Sequence, residues 1–260
     1  MFETNNWTLL PFLRDSDGVD TTVTACGIRL DISRQRLTGE DLKRLCEHCR
    51  TRGVEEAHRR MVAGEIVNPS ENRAALHTSL RSFSPNAPKF AEIDCERRRM
   101  LDFARQVRDG IRRGCRGDLI TDVINIGIGG SEMGPHAVYH ALRSSEPKIR
   151  VHFLSTVDGV LLERILDVCN PLTTLVVVSS KSFGTRETLV NAAAVDQWLL
   201  DHGIVGTDRN RHMVVVSANP DAANQMCLPE ENVFRMWDWV GGRTSELSAV
   251  GLLPAALQGI

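Results

Sequence analysis

Between residues 120 and 220, short apolar runs alternate with amphipathic stretches of helical period. The runs at 122–128, 150–155, 173–179 and 212–217 are short, apolar and Val/Ile-rich. That is the pattern of strands buried on both faces. The stretches between and after them, Glu132–Arg143, Gly159–Val168, Arg186–Leu200 and Pro220–Gln225, read as helices. Strand and helix in turn, joined by short loops, predict a parallel sheet in a doubly wound α/β domain, an α-β-α sandwich. Such a sheet binds ligands beyond the carboxyl ends of its strands, near the switch in strand order.

The chain before residue 115 has a different texture. Residues 1 to about 30 lack periodicity, except that Ile28–Ile32 alternates like a short strand. Thr38 is placed to cap a helix carrying Leu42, Leu45, Cys46 and Cys49, and Val54–Val62 is helical in composition. Asn68-Pro69-Ser70-Glu71-Asn72 is a turn cluster, Arg73–Arg81 is helix-like, and Phe83–Lys89 is a loop with prolines. Glu92–Arg113 predicts a long charged helix with Met100, Leu101, Phe103, Ala104 and Val107 inward. The expected organisation is a helical N-terminal region over 1–115 and an α/β domain over 116–260. Ser245–Gly259 opens an apolar helix that ends in mid-pattern at Ile260. The expectation is a fragment of a longer protein, with a hydrophobic face exposed at Val250–Leu257.

Three segments carry candidate chemistry. Val123–Pro135 is an apolar run emptying into Gly127-Ile128-Gly129-Gly130-Ser131 and then a helix. Glycines let the backbone approach a ligand, and the free N–H groups of a first helical turn favour an anion. A dinucleotide fingerprint is disfavoured, because position 132 is Glu and the next glycine is Gly134. Ser180-Lys181-Ser182-Phe183-Gly184-Thr185 follows the run Leu175–Val178 and gathers three hydroxyls and an ammonium, donors suited to a phosphate. The plainer reading makes Thr185 a helix cap, with Thr188 poorly placed to complete a box; both roles are compatible. Gly241-Gly242-Arg243 projects a guanidinium from a close-packed turn, and such a cation can stabilise an oxyanion or enediolate. Trp237 and Trp239 read as packing residues.

Composition narrows the partners. The chain of 260 residues is 42% hydrophobic and 25% charged with a net charge of -2, which argues against nucleic acid as a partner. No apolar run is long enough for a membrane helix, and the N-terminus lacks the pattern of a signal peptide, so a cytoplasmic protein is expected. Cys46 and Cys49 form a Cys-x-x-Cys with no second pair, inside a helical pattern, and read as ordinary helix residues; the other five cysteines read as small buried hydrophobes. His48 and His58 fall on polar helix positions and His77 in a polar stretch. His136 and His140 have metal-pair spacing, with no Glu or third ligand expected in support.

The segments Asn125–Pro135, Ser180–Asn191 and Asp238–Gly251 together resemble the signatures of the glucose-6-phosphate isomerase family, and Gly27–Asp31 and Asn68–Arg81 resemble the same family. The resemblance runs from about residue 27 to the end. It implies a sugar-isomerase domain and interconversion of glucose 6-phosphate and fructose 6-phosphate through a cis-enediolate, with no metal and no organic cofactor. It further implies that Gly130 and Ser131 contact the sugar phosphate. Ser180, Lys181, Ser182 and Thr185 would hold it, while Gly242 and Arg243 lie by the reacting carbons, Arg243 against the enediolate. A homodimer is implied for the full-length protein. Gly184 and Arg186 depart from the threonine and glutamine common in the family, and the glutamate base, ring-opening histidine and late lysine of relatives fall beyond residue 260. Glu187 is a group near the phosphate loop and not the base. The alternative is a non-catalytic phosphosugar-binding domain, against which Gly242-Arg243 argues.

Overall fold

The computed structural model describes residues 22–25 and 27–260. The expectations for residues before 22 and for Cys26 lie outside the described residues. The chain divides into two compact units between Arg60 and Met61.

In the first unit, β1 (Thr22–Ala25) and β2 (Ile28–Asp31) form an antiparallel hairpin with Val23 opposite Leu30. Helix α1 (Gly39–Thr51) opens on a capping box: Asp41 N–H donates to Thr38 Oγ1 at 3.1 Å, and Thr38 N–H donates to Asp41 Oδ2 at 2.9 Å. Helix α2 (Val54–Val62) follows, and neither helix buries a residue. Cys46 and Cys49 lie on α1 as exposed thiols, and His48 and His58 are exposed on the two helices.

The second unit opens with a small hairpin, β3 (Ile66–Asn68) and β4 (Arg73–Ala74), turned by Asn72 at φ 52°. The helix expected over Arg73–Arg81 is therefore absent; only Ser79–Arg81 forms a single 3-10 turn. Pairing with β3 and a bond from the Leu76 N–H to the Trp239 carbonyl at 3.3 Å take the backbone groups a helix needs. Helix α3 (Phe90–Arg108) ends before the expected Arg113, where Gly110 turns left-handed at φ 67°. It buries Met100, Phe103, Ala104 and Val107, but Leu101 is 47% exposed, off the stripe by one position.

The α/β core then runs β5 (Asp122–Ile126), α4 (Gly130–Leu142), β6 (Arg150–Leu154), α5 (Gly159–Val168), β7 (Thr174–Ser179), α6 (Arg186–Asp201), β8 (Met213–Ser217), α7 (Ala222–Gln225), β9 (Val233–Arg235) and α8 (Ala249–Gln258). The five strands are parallel in the order β6-β5-β7-β8-β9. Strand β9, only three residues long, had no signature in the sequence pattern. The sheet divides its side chains strictly. Val123, Val177, Val214 and Val216 pack under α3, α4 and α8, while Ile124, Ile126, Val176 and Val178 pack against α5 and α6. The predicted doubly wound sandwich is the observed fold.

Two expectations fail here. Helix α8 exposes no apolar face: Val250, Leu253 and Leu257 are fully buried against the α3–α4 layer. Apolar on all sides, it is a buried core helix. The cysteines also diverge from the expected buried set. Cys169 is buried and Cys115 half-buried, but Cys95 and Cys227 are exposed.

Candidate functional site

The first strand of the parallel sheet has neighbours that follow it to opposite sides, β6 and β7, so strand order switches at β5. A cavity of about 600 Å³ opens above this point, lined from the loops after β5, β7 and β8 and from the turn at Gly242. Gly130, Ser131, Ser180, Lys181, Ser182, Thr185 and Gly242 all line it. Arg243 does not line it; it follows Gly242 on the 3-10 turn Gly242–Thr244, exposed and without a hydrogen bond or ion pair among the described residues.

Each loop has a local reason for its course. After β5, Gly129 takes φ 58° and leads into α4. A Cβ on Gly130 would fall 2.2 Å from the Gly242 carbonyl oxygen, so only glycine lets the α4 N-terminus meet that turn. Ser245 Oγ donates to the Gly130 carbonyl at 3.3 Å and to the Gly242 carbonyl at 2.7 Å, fixing the same contact. After β7, Phe183 adopts φ 53° with its ring buried in the core beneath α6. That backbone conformation costs a non-glycine residue free energy, which the buried ring offsets. Carbonyls of this loop are occupied from the β8 side. Ser217 Oγ donates to the Ser180 carbonyl at 2.7 Å, the Ala218 N–H to that of Lys181 at 3.1 Å, and Asn219 Nδ2 to that of Ser182 at 3.0 Å.

With carbonyls turned away, donors remain for the cavity. Thr185 stands at the N-cap of α6, yet its side chain makes no capping bond, and α4 has no side-chain cap either. Two helix N-termini thus reach the cavity uncapped by side chains. The hydroxyls of Ser179, Ser180 and Thr188 are 1%, 3% and 2% exposed residues with no hydrogen-bond partner among the described residues. Unpaired buried hydroxyls carry a desolvation cost that a bound ligand removes. Lys181 is engaged differently from the expected phosphate contact: Nζ donates to the carbonyls of Asp238 at 2.6 Å and Val240 at 3.0 Å.

The sequence reading missed Ser179, Thr188, Asn219, Glu71, Arg73 and Asp238, which also line the cavity. Thr188 had a usable signal, since three residues after Thr185 on a helix is the same face one turn on. Arg73 had none, because its pairing with Asp238 joins segments far apart in sequence: Nη1 donates to the Asp238 carbonyl at 3.3 Å and Nε lies 3.7 Å from Oδ2. Glu187 does not line the cavity. Trp237 and Trp239, beside the site, stack on each other with centroids 4.8 Å apart, as packing residues. Glu132 stands one turn before His136 and its Oε1 lies 2.6 Å from Nδ1, correcting the expectation that no Glu accompanies that histidine pair.

Among the described residues, one group has metal-ligand chemistry: Asp122, His152 and Cys169, with ligand atoms within 4.8 Å of one another. It lies at the amino-terminal end of β5 and β6, away from the cavity. Asp122 already accepts from His152 Nε2 at 2.8 Å, Arg150 Nη2 at 2.9 Å and Thr121 Oγ1 at 2.9 Å. A metal ion would face the Arg150 guanidinium, and burial pushes the Cys169 thiol up to about 12, so it stays protonated. The donor set fits an ion-pair network.

The comparisons agree with this geometry. The family model described as phosphoglucose isomerase matches residues 31–259. The chain is 46% identical over 227 residues to a glucose-6-phosphate isomerase of Paraburkholderia phytofirmans, covering 87% of this chain and 42% of that one. It is 47% identical over 232 residues to that of Burkholderia ambifaria, covering 89% and 43%. A crystal structure of a glucose-6-phosphate isomerase from Chlamydia trachomatis superposes with a TM-score of 0.76 at 27% identity, over 92% of this chain and 46% of that one. The chain thus spans less than half the length of the relatives it matches. A family model matched over residues 31–259, nearly the whole chain, makes this chain a member of the phosphoglucose isomerase family.

Proposed function

We propose that the cavity binds a phosphorylated hexose and that the full-length protein interconverts glucose 6-phosphate and fructose 6-phosphate. The observation that carries this reading is the set of unpaired hydroxyls, Ser180 and Thr188 foremost, between two helix N-termini without side-chain caps. A phosphate dianion accepts many hydrogen bonds, and helix N-termini favour its charge. Ser131, Ser180, Ser182 and Thr185 supply hydroxyls, and Lys181 adds positive charge. The close contact of Gly130 with Gly242 brings the turn bearing Arg243 to the phosphate loops. Proton transfer between C1 and C2 builds negative charge on the oxygens of an enediolate, and Arg243 is the cation assigned to it.

This reading takes the general base from outside these 260 residues. Glu71 and Asp238 are the carboxylates on the lining, and both stand beside the Arg73 guanidinium. The chain alone accordingly binds phosphosugar without turning it over, and the full-length protein is a cytoplasmic homodimer. In the full-length protein, Arg243→Ala lowers kcat roughly a hundredfold, more than it raises KM. A normal kcat with a raised KM in a coupled fructose 6-phosphate assay refutes the enediolate role. Calorimetry with 6-phosphogluconate on the 260-residue chain tests the cavity directly, and no binding in the millimolar range refutes the phosphosugar site.

A further inference from the structure

Three successive carbonyls just before the Gly241-Gly242-Arg243 turn receive donors from distant segments. The Asp238 carbonyl accepts from Lys181 Nζ at 2.6 Å and Arg73 Nη1 at 3.3 Å. The Trp239 carbonyl accepts from the Leu76 N–H at 3.3 Å, and the Val240 carbonyl from Lys181 Nζ at 3.0 Å. Arg73 Nε adds an ion pair to the Asp238 side chain at 3.7 Å. Two of the three ammonium protons of Lys181 are committed to this segment. Two cations on bare carbonyls are charge-assisted bonds, stronger than the loop's own neutral turns. Immediately downstream, Gly242 must meet Gly130 within a space that excludes even a methyl group. Small shifts of the segment would therefore move both the contact and Arg243.

We propose that Lys181 and Arg73 are positioning residues: they hold Asp238–Val240 in register so that Gly242 packs on Gly130 and Arg243 is presented beside the cavity. Lys181 contributes to phosphosugar binding mainly through this clamp and its charge. Only the role of Arg243 rests on the phosphosugar reading; the clamp stands without it.

Hydrogen–deuterium exchange on the 260-residue chain tests this. Without ligand, Lys181→Met speeds exchange of residues 236–245 at least tenfold, and Arg73→Gln about threefold, while 122–126 in the sheet keep their wild-type rates. Lys181→Arg, which retains a cationic donor, restores most of the protection. A general loss of stability would raise both regions together. If Lys181→Met does not fold, 122–126 exchanges freely, and the partly exposed Arg73→Gln decides alone. Wild-type rates at 236–245 in the folded variants overturn the clamp. Fructose 6-phosphate is then added: slower exchange at 180–188 in wild type and in Lys181→Met supports a clamp over a direct phosphate contact. Loss of that slowing in Lys181→Met, with 236–245 unchanged, makes Lys181 a phosphate ligand and overturns the proposal. If fructose 6-phosphate slows nothing in wild type, the phosphosugar reading fails while the ligand-free result still decides the clamp.

Discussion

At the amino-terminal end of the parallel sheet, the buried side chains of Asp122, Thr174 and His212 are paired; at its carboxyl-terminal end, several buried side chains are not. Asp122 holds three donors, Thr174 Oγ1 donates to the Asn170 carbonyl at 2.7 Å, and both ring nitrogens of His212 are used. By contrast, the Asn125 amide near the end of β5, the hydroxyls of Ser179 and Ser180, and that of Thr188 on α6 have no partner among the described residues. Both ends are equally dry, so burial does not explain the difference. Paired groups lower the free energy of the empty fold. Unpaired groups raise it and are silenced by whatever fills the space. Asp122, Thr174 and His212 therefore stabilise the empty fold, whereas Ser179, Ser180 and Thr188 are the groups that the proposed ligand would pair.

The comparison breaks most sharply at Asp122. Removing its carboxylate in Asp122→Ala leaves the His152 and Arg150 donors without their acceptor and costs about 3 kcal/mol. Arg150 is half exposed, so water recovers part of the loss. Urea denaturation should show this as a lower midpoint at constant slope, with phosphosugar affinity unchanged in the folded protein. A stability change below about 1 kcal/mol would mean that the network is decoration. Next in size is Gly130→Ala. The added methyl collides with Gly242, costing roughly 2 kcal/mol of stability and also disrupting the cavity. It is the one change expected to damage both properties at once, and retention of wild-type affinity would show that the Gly130–Gly242 approach is not needed for binding.

How far this was legible in the sequence differs between the same two ends. Strands β5, β7 and β8 announced themselves because they are mostly apolar and rich in Val and Ile, and the glycine and serine loops because strand-to-helix junctions of that composition have few other uses. Long-range pairing left no local trace. Nothing near Arg73 in sequence points to Asp238, and the helical look of Arg73–Arg81 was overridden by pairing with β3. Strand β9 is too short to show a period. Lys181 was legible as a cation but not as a strut, since the carbonyls it holds lie nearly sixty residues away. Helix α8 was legible as apolar, and its cover by the α3–α4 layer was not, because an apolar sequence does not name the elements that pack on it.

The carboxyl-terminal end gives the inverse of the Asp122 result. Ser180→Ala and Thr188→Ala remove hydroxyls that are already unpaired, so stability stays within about 0.5 kcal/mol of wild type or rises slightly. Affinity for 6-phosphogluconate falls in each by about 1–2 kcal/mol, some five- to thirtyfold, by calorimetry. The two measurements together are the sharpest test of the comparison, because they predict opposite responses from residues of similar burial. A loss of stability with no loss of affinity in Thr188→Ala would place that hydroxyl with the structural group.

The smallest effect is a pH dependence, and it belongs to the amino-terminal end. His212 is fully buried. Its Nδ1 donates to the Thr174 carbonyl at 2.9 Å and its Nε2 accepts from the Cys115 N–H at 2.9 Å, which fixes the neutral ring. Burial lowers its pKa below the ordinary 6.5, with the Arg112 cation adding to it and the Thr174 carbonyl, Asp208 and Asp118 opposing. The unfolded chain then takes up this proton first as pH falls. Stability contributed by His212 is complete above about pH 6.5 and is lost as pH drops toward the folded-state value. One proton sets a ceiling of about 1.4 kcal/mol per pH unit on that slope. Asp122 acts in a separate window. Burial raises its pKa, the bonds from His152, Arg150 and Thr121 outweigh that, and the net value lies below the ordinary 3.8, so its contribution is lost only below about pH 4. Urea midpoints between pH 7 and about 5 should therefore slope in wild type and flatten in His212→Gln, while Ser180→Ala keeps the wild-type slope. An equal slope in His212→Gln would assign the titration to another group and remove His212 from the paired set that defines this end of the sheet.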